Sequence, residues 1–453
     1  MAERPADKTA TGKTIAGFSK LSKRGKIKWI VENFFKDPEN VMHELMSYWH
    51  HNEDQQKILD NFSENAISNY PLPYSVAPNF LINGRTYCVP MVTEESSVVA
   101  AASAGAKFWM ERGGIHAMVS GTTKLGQIHF KWNGPLDFIE QHLPEIRQQM
   151  LDDAADILKN MQARGGGVGD MTLRTPGGLP HCAQLLIAFE TCDSMGANFI
   201  NSCLESFSAS LERYITHSEG LSDDHREFER IMAILSNYTP DCLVRAWVEC
   251  PIKALGNFGG GMTAEDFAEK FHAAVQIAQA DPYRAVTHNK GIFNGIDAVV
   301  LATANDFRAV EACGHAYAAR NGRYASLSTC DLRDGLFRFA LEVPLALGTV
   351  GGLTALHPMA RRSLELLGNP GARELMMIAA STGLAQNFSA IRSLITTGIQ
   401  YGHMKMHLRN ILLRLQATET ERDLAQSHFA DRKVSFRAVQ DFLQQIRSAT
   451  NER

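Results

Sequence analysis

The spacing of apolar positions changes along the chain, and each change predicts an element. Between Pro78 and Val92, the runs "NFLI" and "YCVPMV" flank Asn83-Gly84, a hairpin signal. The alanine- and valine-rich stretch from about Ser97 to Arg112 predicts a buried helix, stopped by Gly113-Gly114. "HAMVSGTTKLGQIHFKW" (His116–Trp132) alternates in part and predicts a strand. "LDFIEQHLPEIRQQMLDDAADILKNMQ" predicts a helix ending at the Gly165–Gly167 cluster. "AQLLIAFETCDSMGANFINSCLESFSASLERYI" predicts a strand running into a helix, with the join near Cys192–Gly196. The stretch 121–238 therefore reads as strand–helix–strand–helix, a small two-layer α+β unit. Beyond it, Thr263-x-x-Asp266 predicts a capping box at a helix start. Residues 292–400 read as alanine-rich helix around the strand-like "LFRFALEVPLALGTVGG", and the last fifty or so as charged helix. No internal repeat is present.

Composition narrows the class. The chain has 453 residues, 45% apolar and 21% charged, enough to bury a sizeable core. A net charge of −4 is too mild to imply a nucleic acid or acidic membrane partner. No stretch has the length and apolarity of a membrane span, and "MAERPADKTATGK" lacks a signal-peptide core. Eight cysteines without a C-x-x-C pair imply reduced thiols and a cytoplasmic location. Six cations between Lys13 and Lys28, with no acid, read as a solvated helix face or as partners for a phosphate-bearing ligand such as coenzyme A.

Four stretches carry candidate chemistry. Glu94-Glu95 stands at the mouth of the valine–alanine helix, where carboxylates suit the positive end of the dipole. "DPYRAVTHNKGIFNGIDAVVLATANDFRAVEA" sets Arg284, His288 and Lys290 ahead of an apolar helix and Asp306 after it. "CDSMGANFIN" joins a strand to a helix through Gly196, a tight turn or a phosphate site. His403 and His407 have helical spacing, but Met404, Lys405 and Met406 between them supply no acid, so no metal is expected. The glycine fingerprints of Rossmann and P-loop sites are missing, as is a G-x-S-x-G elbow.

Taken in order, "LPYSVAPNFLINGRTYCVPMVTEESSVVAAAS", "DSMGAN", "DPYRAVTHNKGIFNGIDAVVLATANDFRAVEA", "GTVGGLTALHP", "GLAQN" and "GIQYGHMKMHLRN" resemble 3-hydroxy-3-methylglutaryl-CoA (HMG-CoA) reductase of the soluble class II, from about Gly17 to Asn410. The resemblance implies an α+β fold. A large helix-rich substrate domain (1–120 and 239–398) would carry an inserted ferredoxin-like, non-Rossmann nucleotide domain (121–238) and a mobile helical flap (399–453). It implies reduction of HMG-CoA to mevalonate and free CoA with two NADH or NADPH, without a metal, in a homodimer or larger assembly of dimers whose sites form at the interface. Glu95, Lys290, Asp306 and His403 would be catalytic. Arg284, Asn294, Ser97, Asn237 and Glu64 would contact substrate, and Asp193, Met195, Gly196, Ala197 and Asn198 the dinucleotide.

The reaction needs these residue types. A lysine steadies negative charge growing on the thioester oxygen, and an imidazolium protonates the departing thiolate. A glutamate serves as acid near neutrality only where burial or a second carboxylate, here Asp306, makes it hold its proton. Lys290 and Asp306 are 16 residues apart, roughly 24 Å along one unbroken helix. The chain must break, Ala304-Asn305 being the candidate, or the pairing must cross between subunits. Ser68, Ser96 and Ser194 depart from the family's glycine, proline and alanine. Asp152, Asp153 and Asp156 are candidate ribose-reading acids that would decide NADH against NADPH. Rival readings are the same fold oxidising mevalonate, an idle CoA-binding scaffold, and a metal hydrolase built on His403 and His407.

Overall fold

The computed structural model describes residues 14–177, 179, 181–396, 408–429, 432 and 434–451. The chain divides into two compact units, residues up to 73 with 355–358, and the remainder. In the first, helices Lys23–Phe34, Pro38–Ser47 and Glu53–Asp60 are capped by Ser22, Asp37 and Asn52. Lys23 Nζ bonds Asp60 Oδ1 at 2.6 Å and lies 4.4 Å over the Trp49 ring, so this cation of the basic stretch is structural. Ser68 has found local work, its hydroxyl donating to the Leu45 carbonyl at 2.6 Å.

Among the described residues, the second unit carries three antiparallel sheets. Strands β1 (Tyr74–Ile82) and β2 (Arg85–Val92) form the expected hairpin, with Asn83 and Gly84 both at positive φ (48° and 81°). Strands β3 (His116–Val119), β8 (Leu243–Pro251), β10 (Leu336–Pro344) and β9 (Ser328–Asp331) make a four-stranded sheet in that order. The other four-stranded sheet has the order β5-β6-β4-β7, with β4 (Lys124–Trp132), β5 (Gly167–Arg174), β6 (Cys182–Glu190) and β7 (Phe228–Ser236). Helices Leu136–Asp153 and Ala155–Gln162 link β4 to β5, and Ala197–His217 links β6 to β7. This is the split β-α-β-β-α-β arrangement of ferredoxin-like folds, with its own apolar cluster.

Two expectations need correction. The single strand expected over 116–132 is two strands in different sheets. The chain crosses at Gly121, where a Cβ would lie 2.3 Å from the Asp241 carbonyl oxygen. Strand–helix–strand–helix also undercounts the unit, because β5 and β7 are the sheet's edges and their burial does not alternate cleanly.

The main core is organised around the helix Ala372–Ile395, most of whose residues are buried. Two helices pack on it, Val98–Met110, which follows Glu95 and Ser97, and Pro282–Ala302, which carries Arg284, Lys290 and Asn294. Glycines permit the close approach: a Cβ on Gly105 would meet the Ala385 carbonyl oxygen at 2.4 Å, and one on Gly295 the Thr382 carbonyl oxygen at 2.7 Å. Trp109, Phe388, Phe337 and Phe271 fill the layer beside them, with ring centroids 5.0–5.9 Å apart. The C-terminal helices Glu419–His428 and Phe436–Asn451 share a third, smaller cluster.

Gly295→Ala would gain about 1 kcal/mol of helix propensity elsewhere. Here the added carbon meets backbone that cannot yield. Gly295→Leu should lower stability by about 1–3 kcal/mol, read as a fall in Tm. An unchanged Tm would show that the helices are not locked at this point.

Candidate active site

The strand β2 ends at Val92, and the turn that follows presents Glu95, whose amide donates to Thr93 Oγ1 at 3.2 Å. The next helix starts from Ser97, a non-glycine residue held at φ 75° with no side-chain cap. Such backbone strain persists only where surrounding structure enforces it, often at functional sites. On the neighbouring helix, Asp281 caps the start by accepting the Tyr283 amide at 3.0 Å, and Pro282 takes the first position. Lys290 follows two turns in, and its Nζ donates to Glu95 Oε2. The two residues expected to handle charge on the carbonyl are therefore paired across 195 positions of chain.

The pair is not buried as the sequence suggested. The Lys290 and Glu95 side chains are 57% and 39% exposed, because Glu95 sits on the turn before the helix and the valine–alanine face lies beneath it. Exposed ion pairs contribute about 0–1 kcal/mol to stability. Holding the fold together is thus a poor explanation for this one.

Around it, Asn294 stands one turn beyond Lys290 on the same helix face, half-buried. Arg284 is half-buried with no carboxylate paired to it among the described residues, and desolvation lowers its guanidinium pKa. That leaves a cation available for an anionic ligand. His288 is not a titrating group of the site. Burial, then the charge of Arg284, pushes it down to about 3. Its Nε2 shares a 2.6 Å hydrogen bond with Ser328 Oγ, which donates to Asn387 Oδ1 at 3.0 Å. Asn289 pins the neighbouring loop through the Ala325 carbonyl and the Leu327 amide.

Asp306 is not beside them within one chain. The helix breaks where expected, ending at Ala302 with Ala304 at φ 52°. The unbroken run from Lys290 to Ala302 still separates the two by roughly 18 Å along the axis. Asp306 caps the following helix, Phe307–Ala318, accepting the Arg308 and Ala309 amides at 3.0 and 3.2 Å and pairing with the Arg308 side chain. His403 lies outside the described residues. Glu64 is exposed on a turn of the first unit.

The loop after β6 is built around Gly196, at φ 86°, where a Cβ would strike Thr191 at 2.5 Å. Gly196 caps the helix Ala197–His217 without any side chain, leaving its first amides for a ligand, so the residues fit a dinucleotide phosphate. Met195 and Ala197 line a pocket together with Asn237. Asp193 also has a structural engagement: its Oδ1 accepts the Ala372 amide at 2.7 Å, starting the central helix. Ser194 closes the turn, its carbonyl accepting Thr191 Oγ1 at 2.6 Å. Of the three acids considered for the ribose, Asp153 is taken by Ser210 and Arg213, and Asp152 accepts from Gln148.

Sequence reasoning passed over two residues. Lys124 is a lysine in phase with the inward-facing positions Gly126, Ile128 and Phe130, which was a readable signal. Asp297 sits on the site helix beside Glu311 of the next one, and burial, reinforced by the Glu311 charge, raises its pKa to about 8.

Residues 27–408 match the family model described as hydroxymethylglutaryl-coenzyme A reductase. The chain is 35% identical to the 3-hydroxy-3-methylglutaryl-coenzyme A reductase of Archaeoglobus fulgidus, covering 97% of this chain and 96% of that one. It is 33% identical to a probable reductase of the same name from Borreliella burgdorferi, over 87% and 85% of the two chains. Among solved structures it is similar to the class II enzyme of Streptococcus pneumoniae, with TM-score 0.70, 35% identity, and 95% and 99% coverage. A second structure of that enzyme, bound to NADPH in open conformations, matches with TM-score 0.69 and 36% identity over 84% and 99%. The chain belongs to the hydroxymethylglutaryl-coenzyme A reductase family. Among the described residues, no helix is long and apolar enough to cross a membrane.

The buried Asp297 carboxyl sets a pH dependence. Folded, it keeps its proton up to about pH 8, whereas an unfolded aspartate loses it near its model value of 3.8. Its contribution to stability is whole below the lower value and is lost as pH rises through the upper one. Asp297→Asn should therefore flatten the decline of Tm between about pH 4 and pH 8 and raise Tm at pH 8. Parallel Tm profiles for the two proteins would contradict this assignment.

Proposed function

We propose that this chain, acting in the cytoplasm, reduces HMG-CoA to mevalonate and free CoA. Each turnover uses two NAD(P)H and two protons and passes through the hemithioacetal and mevaldehyde. The observation that carries the reading is the Lys290–Glu95 ion pair, formed between motifs far apart in a chain of this family.

Bound NAD(P)H supplies the hydrides; the loop Met195–Asn198 would hold it. Lys290 Nζ stands where it can meet the carbonyl oxygen as negative charge grows there, first on the thioester and then on the aldehyde. Glu95, in contact with that ammonium, is placed to deliver the proton that completes the alcohol. His403 protonates the leaving thiolate. Arg284, unpaired and half-buried, answers the anionic part of the substrate, with Asn294, Ser97 and Asn237 as further contacts.

The site works as an assembly of two chains. Lys290 shares its helix with Tyr283 and Val286, seven and four positions earlier and therefore on the same face, exposed by 90% and 54%. Apolar side chains left bare beside a charged pair suit a covering second copy, which would also bring Asp306.

Steady-state consumption of NADH and NADPH with HMG-CoA tests this. The wild-type oligomer should turn over substrate. Lys290→Met should lose about a hundred- to thousandfold in kcat with its Tm almost unchanged. A purified oligomer that leaves HMG-CoA intact with either nicotinamide would overturn the reading.

A further inference from the structure

Lys124 opens β4, is only 4% exposed, and forms no ion pair among the described residues. Its one hydrogen bond is long, 3.5 Å from Nζ to the Thr122 carbonyl oxygen. The nearby carboxylate, Glu190, is turned to Thr122 Oγ1 and the Cys192 amide and forms no direct ion pair with Lys124. A buried ammonium with no carboxylate in direct contact is costly, so a site that keeps one is suited to an anion supplied from outside.

Its surroundings point the same way. Lys124 lines a pocket with Met195, Ala197, Asn237, Thr239 and Val310, and no carboxylate contributes to the lining. The helix Ala197–His217 begins at this pocket, and its first amides have no side-chain cap. Two positive ends, an ammonium and a helix N-terminus, thus meet in one acid-free space. The enclosed volume is about 20 Å³, room for a single oxygen-sized group rather than a ring.

We infer that Lys124 is a ligand-binding cation of this enzyme, holding one anionic oxygen of a bound ligand against the start of the helix Ala197–His217. Two sources share that chemistry: a phosphoryl oxygen of the dinucleotide and the terminal carboxylate of the substrate. The inference rests on the proposed reductase function for the identity of its ligands, but not for the unpaired ammonium itself.

The test uses full-length protein and the variants Lys124→Met and Lys124→Arg. Removing a buried unpaired charge in favour of an isosteric apolar chain should leave the Tm of unliganded Lys124→Met equal to or above wild type. Losing a charged hydrogen bond should weaken binding by about 10- to 100-fold. If the oxygen belongs to the dinucleotide, NADPH affinity by fluorescence titration falls and inorganic pyrophosphate ceases to compete. If it belongs to the substrate, KM for HMG-CoA rises while NADPH affinity holds. Lys124→Arg should restore part of whichever is lost. Unchanged NADPH affinity together with unchanged KM for HMG-CoA would overturn the inference, as would a lowered Tm in Lys124→Met with no selective loss. Wild-type protein that binds NADPH but leaves HMG-CoA untouched would sink the reductase reading alone; the NADPH titration would then decide the role of Lys124.

Discussion

An ammonium and a carboxylate, brought together from positions 195 apart, set the task for the rest of the fold. Neither group can be placed by its own segment. Glu95 depends on the turn between a hairpin and a helix, and Lys290 on the third turn of another helix. Both helices are held at close range by glycine contacts on the central helix Ala372–Ile395. The central helix is itself started by Asp193, from the loop that precedes the helix Ala197–His217. On the proposed reading, the Lys290–Glu95 pair and the loop Met195–Asn198 are therefore tied mechanically through one buried element.

On the proposed reading, the same pair calls for a second chain. At about 4 Å, opposite charges attract by about 1 kcal/mol in water and about 4 kcal/mol near a protein surface. The Lys290 and Glu95 side chains, more than a third exposed, sit toward the wet end of that range. For the ammonium to steady a growing oxyanion effectively, water must leave. On the proposed reading, bound substrate and a second copy remove it, and the exposed Tyr283 and Val286 are the face that the copy covers.

Much of this was legible because local rules and global fold agree. Asn83-Gly84 made its turn, Thr263 and Asp266 made a reciprocal capping box, and the helix after Lys290 broke at Ala304. These features depend on a few neighbouring residues, which a sequence displays. What stayed hidden depends on distant partners. The jump at Gly121 follows from the approach of Asp241, and the edge strands β5 and β7 lack the one-sided burial that produces alternation. Asp193, expected at the cofactor, also gives one carboxylate oxygen to a helix nearly 180 residues away. Asp306 caps its own helix away from Lys290, and a single sequence does not say whether a pairing forms within one chain or between two.

Glu95→Gln and Asp306→Asn should each be inactive as homo-oligomers. Mixing them under conditions that exchange subunits, with exchange confirmed by mass spectrometry, is predicted to restore reduction of HMG-CoA, because one of the two sites in each mixed dimer regains both carboxylates. Mixed dimers that form and remain inactive would contradict the claim that two chains build the site.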